Sequence, residues 1–171
     1  SLLWLLDHTA TAMGSRLLRE WIAFPLLDPP SIHKRQRGIR AFSDLGETRP
    51  LFSEQLQQVA DIERLTGRLS QGLAGPRDLH ALSRSLESIP TALQYIQGFE
   101  GLASWIPTDH CGDLYATLDK HLVGDPPQSS TEGGIFKEGV SDALDELISL
   151  SVSGLQHLNA LEAEERTATG I

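Results

Sequence analysis

The sequence predicts an all-α fold, an irregular multi-helix core with one long helix at its C-terminal end, and three observations carry that prediction. Leucine is abundant, aromatic residues make up only 6% of the chain, and the alternating β-branched runs that mark strands are scarce. Leu79, Leu82, Leu86, Ile89, Leu93 and Ile96 recur at gaps of three and four, the spacing of a helix packed along a seam. A second stripe, Val140, Leu144, Leu147, Ile148, Val152, Leu155, Leu158 and Leu161, runs toward the chain end with no proline to interrupt it.

Taken in order, Ser1–Asp7 is short and apolar and reads as one or two helical turns. Thr11 is positioned to cap a helix to about Phe24, with Leu17, Leu18, Trp21 and Ile22 inward, and Pro25 ends it. Asp28-Pro29-Pro30 restarts a helix, a capping carboxylate followed by prolines in the first turn. Ile32, Ile39, Phe42 and Leu45 fall on roughly one face of that helix. His33, Lys34, Arg35, Arg37 and Arg40 occupy the others and read as a solvated or internally paired surface rather than a phosphate track. Residues 48–59 make a weak helix. Asp61–Gly72 makes a better one, with Ile62, Leu65, Leu69 and Leu73 in its stripe and Glu63 left to solvent. Gly75-Pro76 opens the seam helix, Asp78 sits in its first turn where the dipole favours an anion, and Pro90 predicts a kink or local break. Asp109–Leu122 can form another helix. Gly124-Asp125-Pro126-Pro127, Ser129, Ser130, Gly133 and Gly134 make residues 123–136 a turn-rich connection. From Lys137 the helical pattern resumes, and a helix over 137–168 would be about 48 Å long at 1.5 Å per residue. An element of that length in a small domain must project from it or join two parts of a larger machine. The chain therefore divides into a helical hub, residues 1–136, and a long lever helix, residues 137–171.

The formal charge is −9 and unevenly placed. Residues 1–84 hold 11 Lys/Arg and 9 Asp/Glu, whereas residues 85–171 hold 3 and 14. Phosphate-backbone binding needs clustered cations that release counterions, so the chain is not expected to bind nucleic acid by itself. Its single cysteine, Cys111, excludes an internal disulfide and a multi-thiolate metal site, and reads as a small, partly buried hydrophobe. No run approaches a membrane span and no export signal opens the chain, so a cytoplasmic protein is expected. A start at Ser1 and an end at Thr169-Gly170-Ile171 suggest a piece of a longer polypeptide.

Tests for chemistry return nothing. His8, His33, His80, His110, His121 and His157 include no helical metal-binding pair with a carboxylate partner. Gly133-Gly134 lacks the lysine and hydroxyl of a phosphate loop, no nucleophile elbow is present, and Asp145-Glu146 fits a solvated helix face.

One segment is far more specific. Leu6-Asp7-His8-Thr9-Ala10-Thr11-Ala12-Met13-Gly14-Ser15-Arg16-Leu17-Leu18-Arg19-Glu20-Trp21-Ile22, then Pro25-Leu26, Asp28 and Arg35, resembles the start of the core helical domain of MutS mismatch repair proteins. Asp61-Ile62-Glu63-Arg64-Leu65, Arg68-Leu69 and Pro76-Arg77-Asp78-Leu79 are similar to that family's central helices. Asp125-Pro126-Pro127, Glu132-Gly133-Gly134-Ile135, Lys137, Gly139 and Leu144-Asp145-Glu146-Leu147 resemble the entry into its lever, and Glu165-Arg166-Thr167 with Thr169-Gly170-Ile171 its far end. The departures are Ala12 where the family usually has proline, Val140 where it has tyrosine, and Ala143 where it often has glutamate.

The resemblance implies structural rather than catalytic positions: Asp7, Thr9, Thr11, Gly14, Arg16, Trp21, Pro25, Asp28, Arg35, Asp61, Arg64, Arg68, Pro76, Arg77, Asp78, Gly133, Gly134 and Asp145. Arg16 is expected to meet a carboxylate or helix-end carbonyls, because a guanidinium left unpaired in the interior is prohibitive. It further implies that an ATPase domain binding ATP and Mg2+, a connector and a DNA-gripping clamp lie elsewhere in a longer protein. The intact protein would act as a homodimer on mismatched double-stranded DNA and recruit downstream repair factors. No cofactor, metal, catalytic group or DNA contact is expected within these residues. A helical protein–protein interaction domain outside repair is the alternative that the seam and the acidic second half leave open, and a stand-alone hydrolase would need a nucleophile–base pair that the sequence does not offer.

Overall fold

The computed structural model describes residues 2–169; for 155–157, 160, 161, 165, 168 and 169 it describes the helical backbone alone. The helices are α1 (Leu2–Leu6), α2 (Ala12–Ala23), α3 (Pro29–Ser43), α4 (Thr48–Gln57), α5 (Ile62–Ser70), α6 (Pro76–Gln94), α7 (Gly112–His121) and α8 (Asp142–Thr169). Two short 3-10 helices, Glu100–Trp105 and Ser130–Glu132, interrupt the connections. The chain is all-α, and among the described residues the only β pairing is an isolated antiparallel bridge between Leu122 and Phe136.

The spine is α6. Its Leu82 and Leu86 close one buried cluster with Leu65 of α5. Its Ala92, with Ile96 just beyond its end, closes a second cluster with Leu45, Phe52 and Leu102. Burying one face along its whole length explains why the helix continues through Pro90, where the sequence predicted a kink or break. Proline removes one backbone hydrogen bond, but core packing on both sides of it holds the helix together. Ser85, fully buried between the leucines, donates to Ala81 O at 2.7 Å and accepts from Ala60 N at 2.9 Å, so it ties the α4–α5 turn to α6.

Several inward assignments shift. Ile39 is 58% exposed, because α3 turns Gly38 and Ala41 to the core instead, while Leu45, just past its end, is buried as expected. Small residues are required there: a Cβ on Gly101 would lie 2.6 Å from Ala41 Cβ, and one on Gly38 would lie 3.1 Å from Trp105 Nε1. The 3-10 helix thus crosses α3 almost backbone to backbone. Leu17 and Leu73 are also exposed, Leu73 because it follows the end of α5. Cys111 is exposed rather than partly buried, and caps α7 with a left-handed φ of 52°. The helix α7 starts three residues later than expected, since Asp109 Oδ1 accepts from Cys111 N at 2.8 Å and closes a side-chain turn.

The last helix also starts late, at Asp142 rather than Lys137. Lys137 N donates to His121 O at 2.9 Å, Val123 N to Ile135 O at 3.0 Å, and the Lys137 ammonium to Asp119 O, so the segment is stitched to the end of α7. Gly139 then turns at φ 83°, and its N–H donates to Asp145 Oδ2 at 2.8 Å, fixing the first turn of α8. No other element packs extensively along α8 among the described residues, and Leu147, Ile148, Leu150, Val152 and Leu158 are all exposed. The predicted stripe positions Leu155 and Leu161 lie outside the described side chains, as do those of Glu165 and Thr169; Gly170 and Ile171 lie outside the described residues.

Candidate functional site

The residues singled out in the sequence gather at joints between helices. At the first joint Asp7 accepts from Thr9 Oγ1 at 2.7 Å, Thr9 N at 3.3 Å and Ser15 Oγ at 2.5 Å. These bonds, that from Ser15 foremost, hold the Asp7 carboxyl below the usual carboxylate range. Thr11 Oγ1 accepts from Gly14 N at 3.0 Å, a helix N-cap that Ala12 leaves intact. Gly14 is required by the same turn: a Cβ there would meet Thr11 Oγ1 at 3.2 Å and Thr9 Cβ at 3.3 Å.

One turn on, Arg16 reaches across to α5. Its Nη1 and Nη2 donate to the two Asp61 oxygens at 2.7 and 2.8 Å, and Nη2 and Nε donate to Glu63 Oε2 at 2.5 and 3.2 Å. Asp61 simultaneously caps α5, accepting from Arg64 N at 3.1 Å, so one carboxylate sets both the helix start and the guanidinium. The Arg16 fork, followed by the Arg64 N–H, lowers the Asp61 pKa to about 2. Bonds from Asp61 and then Glu63 raise that of Arg16. Arg16 is 45% exposed, and an ordinary ion pair so placed contributes little; the bidentate, three-membered arrangement is the exception. Glu63, read from sequence as solvated, is the third member.

The third joint lies between α5 and α6. Arg68 Nε donates to Asp78 Oδ2 at 3.0 Å and Nη2 to Leu73 O at 2.8 Å, while Asp78 Oδ2 accepts from Gly75 N at 3.0 Å. The Gly75 bond first, then Arg68, lowers the Asp78 pKa. Beside it Pro76 is buried, and Arg77 Nε donates to the carbonyl of the fully buried Pro126 at 3.3 Å, bringing residues 49 apart together. Arg64 belongs to the second joint, through its backbone N–H to Asp61.

At the fourth joint Pro25 ends α2, Asp28 Oδ2 accepts from Ser31 N at 2.9 Å to cap α3, and the Arg35 guanidinium lies 3.5 Å from the centre of the Trp21 ring. Gly133 and Gly134 turn at φ 75° and 66°, values that side chains resist, ahead of the bridge that leads to α8. These joints fix helix ends relative to one another. Among the described residues, no group of three or more His, Cys, Asp and Glu could hold a metal ion, and no helix is long and apolar enough to cross a membrane.

Nearly the whole of this chain, residues 1–169, is matched by one family model, MutS domain III. The chain belongs to the MutS domain III family. The DNA mismatch repair protein MutS of Synechococcus elongatus is 44% identical over 175 residues, covering 100% of this chain and 20% of that protein. The proteins of the same name from Alkaliphilus metalliredigens and Lactobacillus acidophilus are 40% and 41% identical over 176 and 177 residues, again with 100% of this chain and 20% of theirs. The chain thus spans about a fifth of the length of these MutS relatives.

Sequence reasoning missed Glu63, Ser85, Gly38 and Gly101. Glu63, 47 residues from Arg16, was a usable signal only once α2 and α5 were known to be neighbours. Nothing local distinguishes Ser85 from Ser83 and Ser88, the other serines of α6.

Proposed function

We propose that this MutS domain III acts as a rigid coupling element in a longer mismatch repair protein and carries out no reaction itself. Residues 1–136 serve as the hub, and the segment from 137 onward as a lever leading toward a clamp that grips mismatched double-stranded DNA. In this reading ATP and Mg2+ bind in a separate ATPase domain, and the hub also meets a connector domain. The intact protein works as a homodimer in the bacterial cytosol and recruits downstream repair factors. The family match and the one-fifth share of its relatives support this placement.

The single observation that carries the coupling role is α8. Its 28 residues make a rod about 42 Å long at 1.5 Å per residue, anchored at Gly139 and Asp145 and, among the described residues, free of extensive packing. A rod fixed at one end transmits displacement of the hub to its far end, which is coupling through a rigid body with more than one placement. The joints keep the hub stiff enough for that: Arg16, Arg68 and Arg77 each span two elements.

The test is to break the rod without touching either end. In the longer protein, Ser151→Pro removes a helical hydrogen bond on an exposed turn and costs about 3 kcal/mol of local helix stability. Mismatch binding and nucleotide binding should each persist, while ATP-dependent release from mismatched DNA, followed by stopped-flow anisotropy, should be lost; Ser151→Ala should retain it. Release at the unaltered rate in the proline variant would reject the lever.

A further inference from the structure

We propose that the cavity between α2, α3 and the 3-10 helix at residues 100–105 is a docking slot. Its occupant is an apolar side chain flanked by a carboxylate, carried on a segment of the longer polypeptide outside these 171 residues. This rests on the reading of the chain as one part of such a protein. The slot has a volume of about 240 Å³ and is lined by Trp21, Arg35, Gly38, Ile39, Phe42 and Trp105. That volume suits one or two side chains, and the walls are almost wholly carbon.

Two features say what enters. The first is Arg35. Its guanidinium stacks on Trp21 at 3.5 Å, which occupies a face of the cation and leaves the donors at its edge. Its Nε is buried and has no hydrogen-bond partner, a cost that an in-plane acceptor would remove, and a carboxylate accepts from two guanidinium donors at once. The second is charge. Lys34, Arg35, Arg37 and Arg40 follow one another along α3, and among the described residues none takes part in an ion pair. Lys34 lies 5.5 Å from the centre of the Trp105 ring and Arg35 lies over Trp21, so each cation nearest the slot is already held on an indole. Two cations beside an apolar slot, Lys34 and Arg35, are complementary to an acidic, aliphatic segment. The Ile39 and Trp105 side chains, 58% and 46% exposed, form an apolar lip that such a segment would cover. A DNA duplex fits less well, because a phosphate track follows cations on an open surface and gains nothing from a carbon-walled cavity.

The occupant belongs to the four-fifths of the polypeptide that the relatives have beyond the matched region. The 171-residue chain is therefore titrated with overlapping peptides that tile the rest of the Synechococcus elongatus MutS sequence, and bound peptides are read by quenching of its tryptophan fluorescence. The expected result is a contiguous group of binding tiles in which Asp or Glu adjoins Leu, Ile, Val or Phe. Arg35→Gln and Arg35→Lys should each weaken that binding about tenfold or more, because the lysine keeps the charge but not the fork. Arg40→Gln, the same charge loss further along α3, should change it by less than about threefold. Circular dichroism of each variant checks that the fold is kept. Binding confined to basic tiles, no binding tile at all, or equal losses in the Arg35 and Arg40 variants would overturn the slot. So would a fluorescein-labelled DNA duplex that quenches the same tryptophans and competes with the peptides. A negative result here beside a positive Ser151→Pro result would remove the slot and leave the lever in place.

Discussion

The replacement of Ser85 by alanine isolates one atom of the hub. The serine is fully buried, so the substitution deletes a hydroxyl and almost no volume. Its partners are unequal. Ala81 O is a helix carbonyl that keeps its place in the ladder, whereas Ala60 N lies in the turn between α4 and α5 and donates to the hydroxyl at 2.9 Å. Without the oxygen that N–H has no acceptor, and the space vacated is too small for a water molecule. An unsatisfied buried donor costs roughly 1–3 kcal/mol; the half-buried Ala60 places the expectation near the middle, about 2 kcal/mol. For a domain of this size each kcal/mol shifts Tm by about 2–4 °C, giving a drop of about 4–8 °C. Ser88→Ala is the matched control on the same helix. It removes a bond of 3.0 Å to Arg84 O, on the side open to water, and should stay within about 0.5 kcal/mol. Thermal and urea unfolding followed by far-UV circular dichroism measure both, and amide exchange at Ala60 should accelerate selectively in the Ser85 variant. Equal stability of the two variants would refute the reasoning, by showing that water or a relaxed turn satisfies Ala60 N.

Three further outcomes are expected. Leu65→Ala, at a side chain only 2% exposed where α5 meets α6, should cost about 2–5 kcal/mol in urea unfolding, whereas Leu73→Ala at a 60% exposed site should cost little. Gly101→Ala places a carbon 2.6 Å from Ala41 Cβ and should destabilise by about 1–3 kcal/mol through overpacking, partly restored by Ala41→Gly in the same chain, as a double-mutant cycle of melting temperatures would reveal. Arg16→Ala should lower Tm and also flatten its acid dependence. The Asp61 carboxyl titrates near 2 in the folded chain against 3.8 ordinarily, so its stabilising contribution is complete above about pH 4 and is lost as pH falls from there toward 2. Melting curves across that window should be less steep in Arg16→Ala and in Asp61→Asn than in the parent; identical slopes would mean that the ion pair does not form in solution.

Sequence alone determined which segments are helical and much of how they begin. Thr11 and Asp28 each cap the helix they were positioned to cap, because a cap is a contact between residues three apart and needs no knowledge of the fold. The seam from Leu79 to Ile96 likewise fixed α6 as a buried helix, since periodicity records one face turned to a core. The tertiary structure alone decided which faces meet. Only the crossing of the 3-10 helix over α3 explains why Gly38 and Ala41 face inward and Ile39 outward. Only the approach of α2 to α5 gives Glu63 an arginine, and only the bridge from Leu122 to Phe136 delays α8 to Asp142. The physical reason is one of range: capping and periodicity are local energies written in neighbouring residues. Close approach and ion pairing between residues 45 or more apart exist only after chain folding has brought those residues together.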